Sequence, residues 1–146
     1  MANWGKIGAA VFSLLNANSN VLDLYVRRIY PNTARFNTTT YPIIVYTITD
    51  TLPTNTKGSS GNSQLDVVEV QLALFHRDYS EMLNGQTYVR AALDYVSEGS
   101  YPSSGSNSIK VQSCTIQRMN QDYIEDFDEQ GLYVSYIDFK FRQKLD

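Results

Sequence analysis

Two single-copy residues and one acidic run are the places where this sequence could do chemistry. His76 is the only histidine and Cys114 the only cysteine among 146 residues. A lone imidazole can serve as a general base only beside a partner that orients it, and no motif supplies one. His76 follows an apolar stretch in phase with its buried side, just before the start of a helix. That setting predicts a partly buried structural histidine. Cys114 falls within a strand and reads as a small buried hydrophobe; a reactive thiol needs an electropositive setting. One cysteine excludes an internal disulfide and a multi-cysteine zinc site, and one histidine excludes a two-histidine metal motif within one chain. None of the patterns GxGxxG, GxxxxGK[ST] or GxSxG occurs. No catalytic residue, cofactor or metal is expected, and the chain is not expected to be an enzyme.

The acidic run offers Asp122, Glu125, Asp126, Asp128 and Glu129 with no basic residue among them. Asp126-Phe127-Asp128-Glu129-Gln130-Gly131 is similar to the opening of a calcium-binding loop. The match then fails, because the twelfth position is Ile137 where a bidentate glutamate is required. The run reads as a solvated hairpin turn, or as an acidic patch that meets a basic partner surface. Arg27 and Arg28 are the natural counterpart if copies of the chain touch.

The elements that would position these residues follow from periodicity. Trp4, Ile7, Val11 and Leu14 recur at helical spacing, and Asn16–Asn20 (NANSN) is a polar stop. Val21–Val26 is short and apolar. Arg27-Arg28-Ile29-Tyr30-Pro31 reads as a brief extended piece ended by proline, and 32–40 as a loop. Pro42 opens a strand, Ile43–Thr49, apolar on both faces and so covered on both sides. Thr51–Ser63 (TLPTNTKGSSGNS) is expected to be a long flexible loop. A second strand runs from Gln64 to Phe75 with Val68, Val70, Leu72 and Leu74 on one face. A helix is predicted from Tyr79 to Val96, capped by Asp78 with Glu81 in capping-box position, weakened at Gly85 and stopped by Gly99. Ser100–Ser108 reads as loop. Ile109–Met119 is a strand whose alternation slips, which predicts a β-bulge near Gln112-Ser113. After the acidic turn Asn120–Gly131 comes a closing strand, Leu132–Arg142. The expectation is one α+β domain over residues 1–146. It has a mostly antiparallel sheet of four to five strands, two helices on one face, and the order α-β-β-β-α-β-β.

Composition bounds the function further. Hydrophobic residues are 42% and charged residues 18%, too apolar and too weakly charged for disorder of the whole chain. No apolar run is long enough to cross a bilayer, and no secretory leader is expected at the start. Over residues 1–60, five basic residues against two acidic leave +3; over 61–146, seven against thirteen leave −6. Neither part is basic enough for nucleic-acid binding to be the main activity. A chain with oppositely charged parts can attract copies of itself head to tail. Eleven tyrosines are many for this length. Tyr25, Tyr30, Tyr79, Tyr88, Tyr101 and Tyr123 fall outside any clean stripe, which suits either interface contacts or packing at the sheet rim.

The first 50 residues resemble the tail-completion, or tail-terminator, proteins of long-tailed phages. The likeness is carried by the N-terminal helix through Leu14-Leu15, by Val26-Arg27-Arg28-Ile29-Tyr30-Pro31, and, after a variable loop, by Tyr41-Pro42-Ile43-Ile44-Val45-Tyr46. An R-I-Y-P followed about ten residues later by P-x-I-V-Y is typical of that family. Val68–Phe75 feeding the Tyr79 helix, and the closing strand to Phe141, are similar in layout. The resemblance implies a virion protein without chemistry. It would form a ring, commonly a hexamer, on the head-proximal end of the tail tube, stop tube growth and face the head connector. Its expected partners are copies of itself, the tail tube protein and the connector or stopper protein. No membrane and no specific nucleic acid are involved, although DNA is free to pass through the ring. The expected place is the head-tail junction of the virion, reached from the host cytoplasm during assembly. A head-completion or stopper ring protein at the same junction is the neighbouring alternative, and a small binding module, calcium-dependent through the acidic turn, is another. On this reading Thr54, Asn55, Thr56, Lys57, Gly58, Ser59, Ser60 and Gly61 order against the tube or a neighbouring subunit. Arg27, Arg28 and Arg35 meet Asp122, Glu125, Asp126, Asp128 and Glu129 of a neighbour.

Overall fold

Strict alternation along residues 65–76 places Val68, Val70, Leu72 and Leu74 on one side of a strand, and that strand lies at the centre of the sheet. A computed structural model describes residues 7–31, 41–54, 65–94, 96, 98–101, 109–124 and 131–144. Among them the order is α1 (Ile7–Ala17), α2 (Ser19–Tyr25), β1 (Ile29–Pro31), β2 (Ile43–Thr54), β3 (Leu65–His76), α3 (Tyr79–Leu93), β4 (Gly99–Tyr101), β5 (Ile109–Ile124) and β6 (Leu132–Lys144). The strands form one sheet in the order β1-β2-β3-β6-β5-β4. Only β1 and β2 are parallel; the other neighbours are antiparallel. The α+β, mostly antiparallel class is therefore as expected, with six strands in place of four to five and three helices in place of two.

The helices cover one face. Ile7, Val11, Leu15, Val21, Tyr25, Val89 and Leu93 pack on Ile44, Val70, Leu72, Leu74, Ile137, Phe139 and Phe141. A smaller apolar cluster, Ile43, Val45, Ala73, Phe75, Leu132 and Val134, sits on the opposite face. Burial of Ile43, Ile44 and Val45 together agrees with the expectation that β2 is covered on both sides.

The departures from the sequence reading have local causes. The NANSN stretch is not only a stop. Asn18, in extended conformation, accepts hydrogen bonds from the N–H groups of Asn20 and Val21 at 3.0 and 3.2 Å and starts α2 over the apolar run. The second predicted helix ends at Leu93, not Val96. Asp94 turns extended there, and its carboxylate accepts from the Ile116 N–H of β5 at 3.1 Å. Gly99 consequently opens β4 and stops no helix. Residues 51–54 extend β2 and 120–124 extend β5, so the loop Thr51–Ser63 and the acidic turn Asn120–Gly131 both begin later than their composition suggests. Residues 55–64 and 125–130 lie outside the described residues. The bulge expected near Gln112-Ser113 is present between Val111 and Ser113; a second follows between Ile116 and Arg118, and a third lies in β2 between Ile48 and Asp50.

The end of α2 is unusual. Val26 donates its N–H to Leu22 O at 2.9 Å from the left-handed region, φ 49° and ψ 49°, and Arg27 follows at φ 62°. Glycine normally takes such a position. A β-branched residue there costs about 1–2 kcal/mol.

If α2 depends on its cap, Asn18→Ala lowers stability by about 1 kcal/mol in chemical denaturation. An unchanged midpoint would show that the helix does not need this side chain.

Candidate functional site

The described residues contain one arrangement that looks catalytic, and it is a structural one. His76 Nδ1 lies 3.2 Å from Glu81 Oε1, and its Nε2 lies 2.7 Å from Tyr25 Oη. A carboxylate only accepts, so Nδ1–H donates to Glu81 and Nε2 accepts from the Tyr25 hydroxyl. The two rings meet edge to face at 5.3 Å. Tyr25 and His76 have no exposed surface, so no substrate reaches the hydroxyl. Burial, helped by the charge of Glu81, pushes the Tyr25 phenol up. Burial also holds His76 below its ordinary value, although Glu81 and Asp78 pull the other way. The expected structural histidine is thus present, fully buried rather than partly. Glu81 spends its carboxylate on His76 and does not close a reciprocal capping box; Asp78 still accepts from Glu81 N–H at 3.0 Å. Gly85 is the close-approach point of this network. A Cβ there would overlap Tyr25 Oη and lie 3.1 Å from His76 Nε2. The helix expected to weaken at Gly85 runs through it unbroken, and the missing Cβ makes room for this contact.

Cys114 is buried in the main core, and burial with the nearby Asp94 charge pushes its thiol up, away from reactivity. Among the described residues no group of three His, Cys, Asp or Glu could hold a metal.

The expected charge contacts divide. Arg27 is exposed at the tip of the left-handed turn. Arg28 is half-buried, with Nε donating to Pro42 O at 2.9 Å, which anchors β1 to the start of β2. Asp122 is exposed near the end of β5, its Oδ1 accepting from Tyr123 N–H at 2.8 Å. Arg35, Glu125, Asp126, Asp128 and Glu129 lie outside the described residues. So do Asn55, Thr56, Lys57, Gly58, Ser59, Ser60 and Gly61, while Thr54 ends β2 opposite Leu65. The structure does not bring Arg27 and Asp122 together within one chain. Arg27 precedes β1 at one lateral edge of the sheet, and Asp122 belongs to β5 on the other side, with β2, β3 and β6 between.

Two surface features escaped the sequence reading. Tyr79, Tyr123 and Tyr133 cluster, with ring centroids 5.5 Å apart for Tyr79–Tyr133 and 4.7 Å for Tyr123–Tyr133. Tyr79 is 44% and Tyr123 43% exposed, and Leu83, one turn after Tyr79, is 38% exposed. Of the other tyrosines flagged, Tyr25 is core, and Tyr30, Tyr88 and Tyr101 pack half-buried against the two clusters. On the opposite face of the sheet, a groove of about 530 Å³ is lined by Thr49, Glu69, Gln71, Gln117, Arg118, Asp138 and Phe139. Its charges pair across strands, Arg118–Asp138 at 3.3 Å and Lys140–Glu69 at 4.0 Å. The register that brings these partners opposite one another is invisible in any single strand.

Neither a family model nor a curated protein matches this sequence. The fold, however, is shared with a solved structure. A chain of the virion of a native gene transfer agent particle superposes with a TM-score of 0.61 at 12% identity, covering 97% of this chain and 96% of that one.

Because the chain has one histidine, its imidazole resonances are unambiguous. They should titrate below the ordinary 6.5. The sign follows from linkage. A lowered folded value means that the unfolded chain binds the proton more readily, so stability is full above about pH 6.5 and is lost as the pH falls below it. Thermal melts at pH 7.5 and 5.5 check this, and a midpoint at or above 6.5 would refute a neutral buried His76. Gly85→Ala should cost about 2–3 kcal/mol by overpacking the Tyr25–His76 contact; a neutral effect would mean the contact relaxes freely.

Proposed function

We propose that this chain is a structural protein of a tailed-phage virion and, more finely, a tail-terminator protein. In this reading it forms a ring, commonly of six copies, at the head-proximal end of the tail tube, caps the tube and joins it to the head connector. The observation that carries the reading is the fold shared with a virion chain along nearly the whole length of both proteins. The Arg28-Ile29-Tyr30-Pro31 and Pro42–Tyr46 pattern supports the finer role, since these segments form the paired β1 and β2. The reading assigns no reaction to the chain.

The charge asymmetry gives the ring its cohesion. Among the described residues of the N-terminal part, Arg27 is the exposed cation; its counterpart is the acidic end of β5 at Asp122, followed in sequence by Glu125, Asp126, Asp128 and Glu129. Because these surfaces lie at different edges of one sheet, one copy can meet the next through heterologous contacts, the kind that closes into a ring.

Light scattering behind size exclusion tests the reading. Six chains of 16.5 kDa weigh about 99 kDa, and raising the salt should shift the mass towards monomer through screening. Incubation with purified tails tests the position: a terminator binds isolated tails, whereas binding to tailless heads alone would replace this reading with a head-side ring. A chain that stays monomeric and binds neither would overturn it.

A further inference from the structure

The turn at Val26-Arg27 combines three properties that the fold alone does not explain. Val26 is β-branched yet held in the left-handed region, with Arg27 left-handed after it. Val26 is 59% exposed, the most of any large hydrophobic residue described. The turn is also held from both sides. Val26 N–H bonds to Leu22 O, Arg28 N–H to Tyr25 O and Ile44 N–H to Arg28 O, each at 2.9 Å. Strained, rigid and exposed apolar positions point to a contact made outside the chain.

The sheet carries a complementary surface. The exposed Tyr79, Leu83 and Tyr123 and the half-buried Tyr133 form a patch rich in ring faces. Asp78, exposed at the start of α3, adjoins it through Tyr79, whereas Asp122, opposite Val134, faces the other side of the sheet. The patch therefore suits an apolar residue followed by a guanidinium, which stacks on tyrosine faces and pairs with carboxylates. Register sets where the two surfaces lie. Ile29 pairs with Ile44, Ile44 with Leu74, Leu74 with Ser135 and Ser135 with Gln121. The turn just before Ile29 and the patch just after Gln121 thus project towards the same end of the sheet. Four strand spacings separate them, about 19 Å. Tyr123 and Tyr133 share the face covered by the helices, where α2 delivers Val26.

We infer that the Val26-Arg27 turn of one copy docks into the Tyr79–Leu83–Tyr123–Tyr133 patch of the next, with Arg27 beside Asp78. A rotation about an axis roughly along the strands brings turn and patch together at one level while leaving the pair with one unused turn and one unused patch. Repetition of that step closes a ring. The inference deepens the ring reading and rests on it for closure; the contact itself stands on the geometry above.

Cross-linking tests the contact. Cys114 is buried and silent towards maleimides in the folded chain. The double variant Val26→Cys/Leu83→Cys, treated with a short bis-maleimide, should give a ladder of multimers, and each single variant should give none. Dimers from Val26→Cys alone would mean a two-fold contact and overturn the inference. Absence of a ladder would overturn it as well: with a wild-type mass near six chains, the ring reading survives and only this contact falls, and with a monomeric wild type both fall. Val26→Gly separates assembly from folding. It relieves the left-handed strain, so its mass falls towards monomer, while its Tm, compared with wild type at a salt concentration that leaves both monomeric, does not fall. A variant that still assembles, or one that melts lower than the monomeric wild type, refutes the proposed role of Val26.

Discussion

The hydrogen bond from the Tyr25 hydroxyl to His76 Nε2, 2.7 Å long and closed to solvent, ties the helical layer to the end of the central strand. Much else is positioned by it. His76 ends β3, Tyr25 ends α2, and Glu81 in the first turn of α3 holds the other ring nitrogen. Two consecutive elements, β3 and α3, and one distant in sequence, α2, therefore meet at one imidazole. The contact requires that α3 come close, which only a residue without Cβ permits, and Gly85 is that residue. A neutral, doubly bonded imidazole satisfies both of its nitrogens, so burial leaves no orphaned polar atom there. Protonation would make Nε2 a second donor facing a hydroxyl, in a place where charge is costly.

That same bond sets the geometry of the surface. With the Tyr25 ring pinned in the core, the chain must leave α2 at Val26 and reach β1 within three residues. The left-handed pair Val26-Arg27 makes the turn, and the Arg28 side chain locks its far side onto Pro42 O. The exposed turn is thus a consequence of interior packing. Such a turn loses little conformational entropy when it meets a partner, because it is already ordered.

How much could be read in advance depended on how local the cause was. The alternation of β3, the Asp78 cap and the bulge at Gln112-Ser113 were legible because each is decided by side-chain period or by neighbours within a few residues. Helix α2 was not, since a six-residue apolar run has no length to separate helix from strand, and the deciding contact is the Asn18 cap. The short β4 exists only because β5 offers it an edge. The charge site divides in the same way. Arg27 and Arg28 are equivalent in sequence, and what separates them is a carbonyl 14 residues away. Tyr25 looked like one of several stray tyrosines until its partner 51 residues on was in view.

The arrangement of surfaces has a consequence for the proposed role. When complementary patches sit at opposite edges of one sheet, a single chain cannot satisfy both itself, and a pair joined through one contact leaves one patch of each copy unused. Association then continues copy by copy until a rotation closes it, or without limit as a filament. A protein that ends a polymer must belong to the closing kind, because an open filament would only extend what it should stop. Closure demands that each step repeat with nearly the same angle, and that demand falls on the rigidity of the contacting parts. A turn hydrogen-bonded on both sides and a tyrosine cluster seated against α3 and the β5–β6 pair supply that rigidity. The fixed turn also explains why strain is tolerable at Val26. About 1–2 kcal/mol lost in each monomer is small beside the apolar area that a docked valine and its neighbours remove from water at every contact around a ring.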